Sequence, residues 1–383
     1  MKIVVAFGTK PCTIKMAPLV KEADKRGHDV YILYSGQHWS PNLFADLFDD
    51  IELRHPDFNL CCGEESTSIN QLAANIMLGT ERVLNQVKPD IVFTHGDTTT
   101  SMAVSLCSHM NLVPVGHVEA GLRTFSREPF PEQLNTRVSD AGADIFFAPV
   151  EKNAQYLKNE GFPEDRIFLV GNTVIDIAKW AAERNIDVAG KYGLKKPLVY
   201  FSIHRRETTM NEQRFKGPVE ALIEMDQYNY FISMRPGTRK ALEKYGFLKK
   251  LQKADNVVIH DSLPSYVETI SILKNCDAIL TDSGSMLEEA AGLHIPCLTA
   301  RYVTDRPETV ITGSNVIAGL DKKTIKEHLR IVMDNAKVRK KMASAKSPYG
   351  EGDTSKRIID ITEKLHSKGD LLRFEKKVAK RNI

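Results

Sequence analysis

The chain has 383 residues, 42% of them hydrophobic and 26% charged, with a formal net charge of +3 at pH 7. That length exceeds one ordinary core and points to two domains. The small, scattered charge argues against a nucleic-acid stripe or a membrane-surface helix, and no apolar run approaches the length of a membrane span.

Short β-branched runs alternate with stretches of helical period. KIVVAFG at 2–8 reads as a strand, IKMAPLVKEADKRG at 14–27 as an amphipathic helix, and DVYILYSG at 29–36 as the next strand. After an irregular region come DIVFTHG (90–96), a helix over 98–110, VPVGHVEAG (113–121), a helix from Pro131, DIFFAPV (144–150) and RIFLVG (166–171). Continuous apolar strands with helices between them imply a parallel sheet covered on both faces, a doubly wound α/β domain. NTVIDIAKWAAERN (172–185) then leads into a second series: LVYFSIH (198–204), YFISM (230–234), NVVIH (256–260), DAILTDSG (277–284), PCLTA (296–300) and NVIAG (315–319). The expected organisation is a first Rossmann-like domain over 1–172, a second over 173–364, and a terminal helix over 365–383 packing back on the first. Two such domains facing across a cleft would turn their strand carboxyl ends toward each other, where open α/β sheets bind ligands.

Cys12, Cys61, Cys62, Cys107, Cys276 and Cys297 form no C-x-x-C pair and suit reduced thiols in a cytoplasmic protein. The eleven histidines show no ligand spacing, so no metal site is expected. MKIVVAFGTK is too short an apolar run for a signal peptide.

Three acids fall at strand ends or helix starts: Asp97 after 90–96, Glu119 after 113–118, and Glu132 in PFPEQLNTR. Asp97 and Glu132 each fit a helix-capping reading equally well. Glu119 has no cap to supply. Three acids on one sheet edge would raise at least one pKa and give an acid/base set. Lys10 and Lys15 in GTKPCTIK flank a helix start, as an anion site requires, or simply face solvent. In SIHRRETT, His204 and Arg205 concentrate donors at a strand end, where an imidazole could exchange protons near neutral pH, or form a surface basic cluster pairing with Glu207. LTDSGSMLEEAAG carries Ser283, Gly284 and Ser285 at the start of a helix, where they form an anion cradle for a diphosphate with Glu289 placed to accept from ribose hydroxyls, or simply an ordinary serine cap before a charged helix face.

HGDTTT, PVGHVEAGLRT, VGNTVID, HRRE, DSG…EEA, RPETV and SPYGEGDTSKRI together resemble the non-hydrolysing UDP-N-acetylglucosamine 2-epimerases, in order and approximate spacing over nearly the whole chain. The resemblance implies the two-domain GT-B fold, a UDP-sugar substrate, no cofactor and a homodimer. It implies that Ser283, Gly284, Ser285, Glu289, Arg301 and Arg306 bind the uridine and diphosphate. His204, Lys15 and the arginines, Arg205 among them, would then stabilise the departing diphosphate, and Lys10 would bind substrate. It implies that Asp97, Glu119 and Glu132 serve elimination of UDP to a 2-acetamidoglucal and its readdition with inversion at C2. Which acid works on which face stays open.

The chain departs from the family pattern at several places. Lys10 and Cys12 replace an arginine and a glutamate, Gln133 replaces a second acid, and Ser285 replaces a glycine. QHWSP (37–41) and SMRP (233–236) replace segments that, with the second acid, belong to a regulatory UDP-sugar site in bacterial members. That site is expected to be altered or absent. The departures leave room for another UDP-sugar, such as a diacetamido-uronic acid. Rival readings are a GT-B glycosyltransferase, a hydrolysing epimerase and a non-catalytic nucleotide-sugar sensor.

Overall fold

The computed structural model describes residues 1–37, 41–125, 130–184, 186–260 and 265–373, without the side chains of 41–45. The chain forms two compact units, one of 1–177 and 352–383, the other of 178–351.

The first unit is built on seven strands: β1 Lys2–Phe7, β2 Asp29–Tyr34, β3 Phe58–Asn59, β4 Ile91–His95, β5 Val115–Val118, β6 Ile145–Ala148 and β7 Ile167–Leu169. Their order across the sheet is β3-β2-β1-β4-β5-β6-β7, and every neighbouring pair is parallel. The chain steps outward from β1 to β3, then returns to lay β4 on the other side of β1. The order therefore reverses between β1 and β4, the switch point at which open α/β sheets hold ligands. Gly8 and Thr9 leave β1 there, and Gly96 and Asp97 leave β4. The central strands are buried almost throughout, with Ile3, Val4, Val5, Ile91, Val92 and Phe93 at 0% exposure. This burial on both faces is why they read as unbroken apolar runs.

The irregular region after 36 holds more order than its sequence suggests. Ser68 caps the helix Ile69–Val87 by accepting from Gln71 N at 3.1 Å. Ile76, Val83, Leu84 and Val87 of that helix pack with Val4, Val92 and Val104 in one core cluster. At Gly79 a Cβ would stand 2.6 Å from Leu60 Cδ1, so the glycine lets helix and loop approach. Of QHWSP, residues 38–40 lie outside the described residues.

The second unit repeats the plan with β8 Leu198–Ser202, β9 Asn229–Ser233, β10 Val257–His260, β11 Ala278–Thr281, β12 Cys297–Thr299 and β13 Asn315–Ile317. Their order is β10-β9-β8-β11-β12-β13, again all parallel. Its switch point lies between β8 and β11, which lead into His204–Arg205 and into Asp282–Ser283.

The chain returns to the first unit at 352, earlier than the expected 365. The physical reason is the start of helix Thr354–Ser367. Its unpaired amides at Thr354 and Ser355 donate to the Asp176 carboxylate at 3.1 and 2.7 Å. The same helix lies on helix Lys10–Lys25, where Arg26 pairs with Asp360 and Glu363 at 2.6 and 2.9 Å. Of the expected terminal helix, residues 374–383 lie outside the described residues.

Candidate functional site

Asp97 does not cap the helix that follows it. Thr98 does, its hydroxyl accepting from Ser101 N at 3.1 Å, and Asp97 is left one residue outside the helix. Asn135 Nδ2, from the helix Glu132–Ala141, donates to the Asp97 carbonyl at 3.0 Å. Burial pushes the Asp97 carboxyl above its ordinary range. The charges of Glu119 and Glu132 push it further, and Lys15 opposes them. The three acids thus form one electrostatic cluster.

Glu119 sits just past β5 with φ of +64°, a left-handed conformation that costs a non-glycine residue energy and needs compensating contacts. Those contacts are present. Lys15 Nζ and Asn172 Nδ2 each donate to Glu119 Oε1 at 2.6 Å, and all three residues are buried. An ammonium and an amide on one oxygen favour the ionised carboxylate. Glu119 Oε2 lies 3.5 Å from His95 Nε2. Burial pulls the His95 imidazole down to about 4, helped by the positive charge of Lys15, so the ring is neutral at pH 7. Glu132 is the first residue of its helix, and its Oε2 is buried without a hydrogen-bond partner among the described residues. Lys10 is exposed in the first turn of helix Lys10–Lys25.

In the second unit the Asp282 carboxylate accepts from the backbone amides of His204 and Arg205 at 2.9–3.1 Å. This ties the end of β8 to the end of β11. His204 Nδ1 is 3.2 Å from Asp282 Oδ1. Burial, with Arg235 and Arg205 nearby, pulls the His204 ring down to about 4. The ring is therefore neutral at pH 7 in the free chain.

Helix Gly284–Gly292 starts at Ser283, whose hydroxyl makes no capping bond. Asp305 stands beside this start: a Cβ on Gly284 would be 3.2 Å from Asp305 Oδ1. Arg205 Nη2 and Arg301 Nη1 hold the Asp305 carboxylate at 2.9 and 3.2 Å. Burial alone would raise its pKa, but Arg306, Arg205 and Arg301 keep it below the usual carboxylate range. Arg306 Nε also pairs with the buried Glu288 at 2.6 Å. Glu289, buried, accepts from Tyr266 Oη at 3.1 Å, and Ser285 is exposed.

The structure therefore gathers Lys15, Asp97, Glu119 and Glu132 in the first unit, and His204, Arg205, Ser283, Gly284, Arg301 and Arg306 in the second. It adds His95 and Asn172 to the first group and Asp305, Glu288 and Tyr266 to the second. Asn172 was visible in VGNTVID as a motif, but its contact with Glu119 spans 53 residues. Among the described residues no group of His, Cys, Asp and Glu could hold a metal ion.

Two parallel-sheet α/β units, one with a carboxylate cluster and the other with an arginine-lined helix start at its switch point, define a GT-B protein. The rhamnosyltransferase SpnG shares this fold at a TM-score of 0.56 and 13% identity. A family model described as UDP-N-acetylglucosamine 2-epimerase matches residues 21–363. The UDP-N-acetylglucosamine 2-epimerase of Methanocaldococcus jannaschii is 34% identical over 370 residues, 94% of this chain and 98% of that protein. The crystal structure of UDP-GlcNAc 2-epimerase from Neisseria meningitidis bound to UDP-GlcNAc superposes with a TM-score of 0.84 at 30% identity, covering 95% of this chain and all of that one. The chain belongs to the UDP-N-acetylglucosamine 2-epimerase family.

Proposed function

We propose that this protein interconverts UDP-N-acetylglucosamine and UDP-N-acetylmannosamine by elimination and readdition of UDP. One observation carries the reading: Glu119, a carboxylate held by the Lys15 ammonium and the Asn172 amide at 2.6 Å, lies in one buried cluster with Asp97, whose carboxyl is pushed up by burial. Pushing two acids apart in proton affinity is how one site holds an acid and a base together. In the forward direction the C1–O bond breaks with its electron pair leaving on UDP. The C2 proton passes to Glu119 or Glu132, and C1=C2 forms. Asp97 then delivers a proton to C2 from the opposite face as a UDP oxygen rebonds to C1. Ser283, Gly284 and Ser285 at the helix start, with Arg205, Arg301 and Arg306, would hold the diphosphate, and Glu289 the ribose. Lys10, Lys15 and His204 complete the polar lining. No cofactor enters the scheme.

Incubation with UDP-N-acetylglucosamine in heavy water tests it. Deuterium at C2 and a mannosamine isomer are expected. Release of a free sugar would indicate a hydrolysing enzyme, and no turnover without an acceptor would favour a glycosyltransferase. The same reading carries a cytoplasmic homodimer. Leu78, Met110 and Leu112 are exposed at 61–66%, apolar side chains of the kind a second copy covers. Sedimentation velocity at several concentrations decides it.

A further inference from the structure

We propose that His117 and Asp140 are positioning residues, a buried imidazolium–carboxylate pair that registers all three acid-bearing segments of the first unit. The inference rests on the reading above and deepens it. His117 lies on β5, opposite Thr94 of β4, and both His117 and Asp140 are 0% exposed. Its Nδ1 is 2.6 Å from Asp140 Oδ1, and its Nε2 is 2.8 Å from the carbonyl oxygen of Gly96.

A carbonyl oxygen only accepts. Among the described residues, Asp140 receives only donors besides His117: Gly121 N at 3.2 Å and Arg123 Nη1 at 2.7 Å. The carboxylate is therefore ionised, and both ring nitrogens of His117 must carry hydrogen. Arg123 continues the chain outward with a two-pronged contact to Glu160 at 2.7 and 2.6 Å. The other titratable ring nearby is His95, which feels the His117 charge and is neutral. The buried set of His117, Asp140 and Arg123 thus ends on Glu160 with its charges balanced.

What this pair touches gives it its role. Through Gly96 it holds the turn that presents Asp97, where Gly96 takes φ of +66°. Through Gly121 N it closes the turn that presents Glu119. Asp140 itself belongs to the helix that begins with Glu132. One carboxylate and one ring thus connect the three segments at their backbones, without touching the acids' own carboxyl groups. Side-chain placement good to a fraction of an ångström is what proton transfer at carbon demands.

Ring-nitrogen NMR of isotope-labelled protein, assigned with His117→Gln, is expected to show hydrogen on both His117 nitrogens. A bare nitrogen on His117 would overturn the proposal. His117→Gln, which cannot reach both partners, is expected to lower kcat about 10²-fold with KM within about twofold and the fold retained. Asp140→Asn is expected to do the same, and serves if His117→Gln does not fold. Full kcat in a folded His117→Gln protein also sinks the idea. If the wild type neither epimerises UDP-N-acetylglucosamine nor exchanges its C2 hydrogen, the functional reading falls, while the NMR spectrum still decides the state of the pair.

Discussion

At the scale of single residues, burial of the Asp97 carboxyl ties the protein's stability to pH. Its folded-state pKa is raised, so relative to an unfolded chain, where an Asp titrates near about 3.9, the folded protein resists its ionisation. The stability associated with the neutral form is complete below that unfolded value and is lost as pH climbs through the folded one. Asp97→Asn removes this loss. The variant is expected to melt at the same temperature as the wild type at acid pH and at a higher one near neutrality, by scanning calorimetry. In the same variant C2 exchange should fall about 10²–10⁴-fold, the usual contribution of a positioned proton carrier. A variant that is less stable at neutral pH would contradict the burial argument. Sensor-like behaviour would show as unchanged ligand binding with no activity in either protein.

At the scale of elements, glycines mark where two segments come too close for any side chain. Gly217 lies inside the helix Glu212–Glu224, where alanine normally gains about 1 kcal/mol over glycine. Here a Cβ would stand 2.0 Å from the carbonyl oxygen of Leu320. Gly217→Ala is therefore expected to destabilise, by roughly 1–3 kcal/mol, as overpacking does, and denaturant titration measures it. The elements themselves were largely legible, because buried parallel strands write themselves as KIVVAF or LVYFS with turns after them. The helix Ile69–Val87 was less so: its boundaries depend on Ser68 as a cap and on Leu60 filling the notch at Gly79. Of the site, the acids and the DSGS turn were readable by position, since strand ends next to helix starts are recognisable. His95, Asn172, His117 and Asp140 were not. Their roles arise from contacts between strands and helices distant in sequence, and histidine on a buried strand looks like any core polar residue until its partners are seen.

At the scale of the whole molecule, the departures from the family pattern bear on regulation. Gln133, standing in place of the family pattern's second acid, accepts from Thr124 N at 2.8 Å and brings no second negative charge there. Saturation by UDP-N-acetylglucosamine is expected to be hyperbolic, with a Hill coefficient of about 1, since sites coupled by less than about 1 kcal/mol leave little curvature. Marked sigmoidicity in initial rates would show that the second site is intact. Asp305 bears on the whole protein's dealings with its surroundings. Because this carboxylate already sits among Arg205, Arg301 and Arg306 beside the start of helix Gly284–Gly292, the guanidinium groups never face solvent uncompensated. On the proposed reading, an incoming nucleotide would swap with a tethered rival rather than fall into a bare positive well. Stray phosphate or sulfate, with no base or ribose to add, would then lose that contest. Asp305→Asn is expected to bind UDP more tightly and inorganic phosphate measurably by calorimetry, so that the native aspartate acts as the molecule's own filter against small anions.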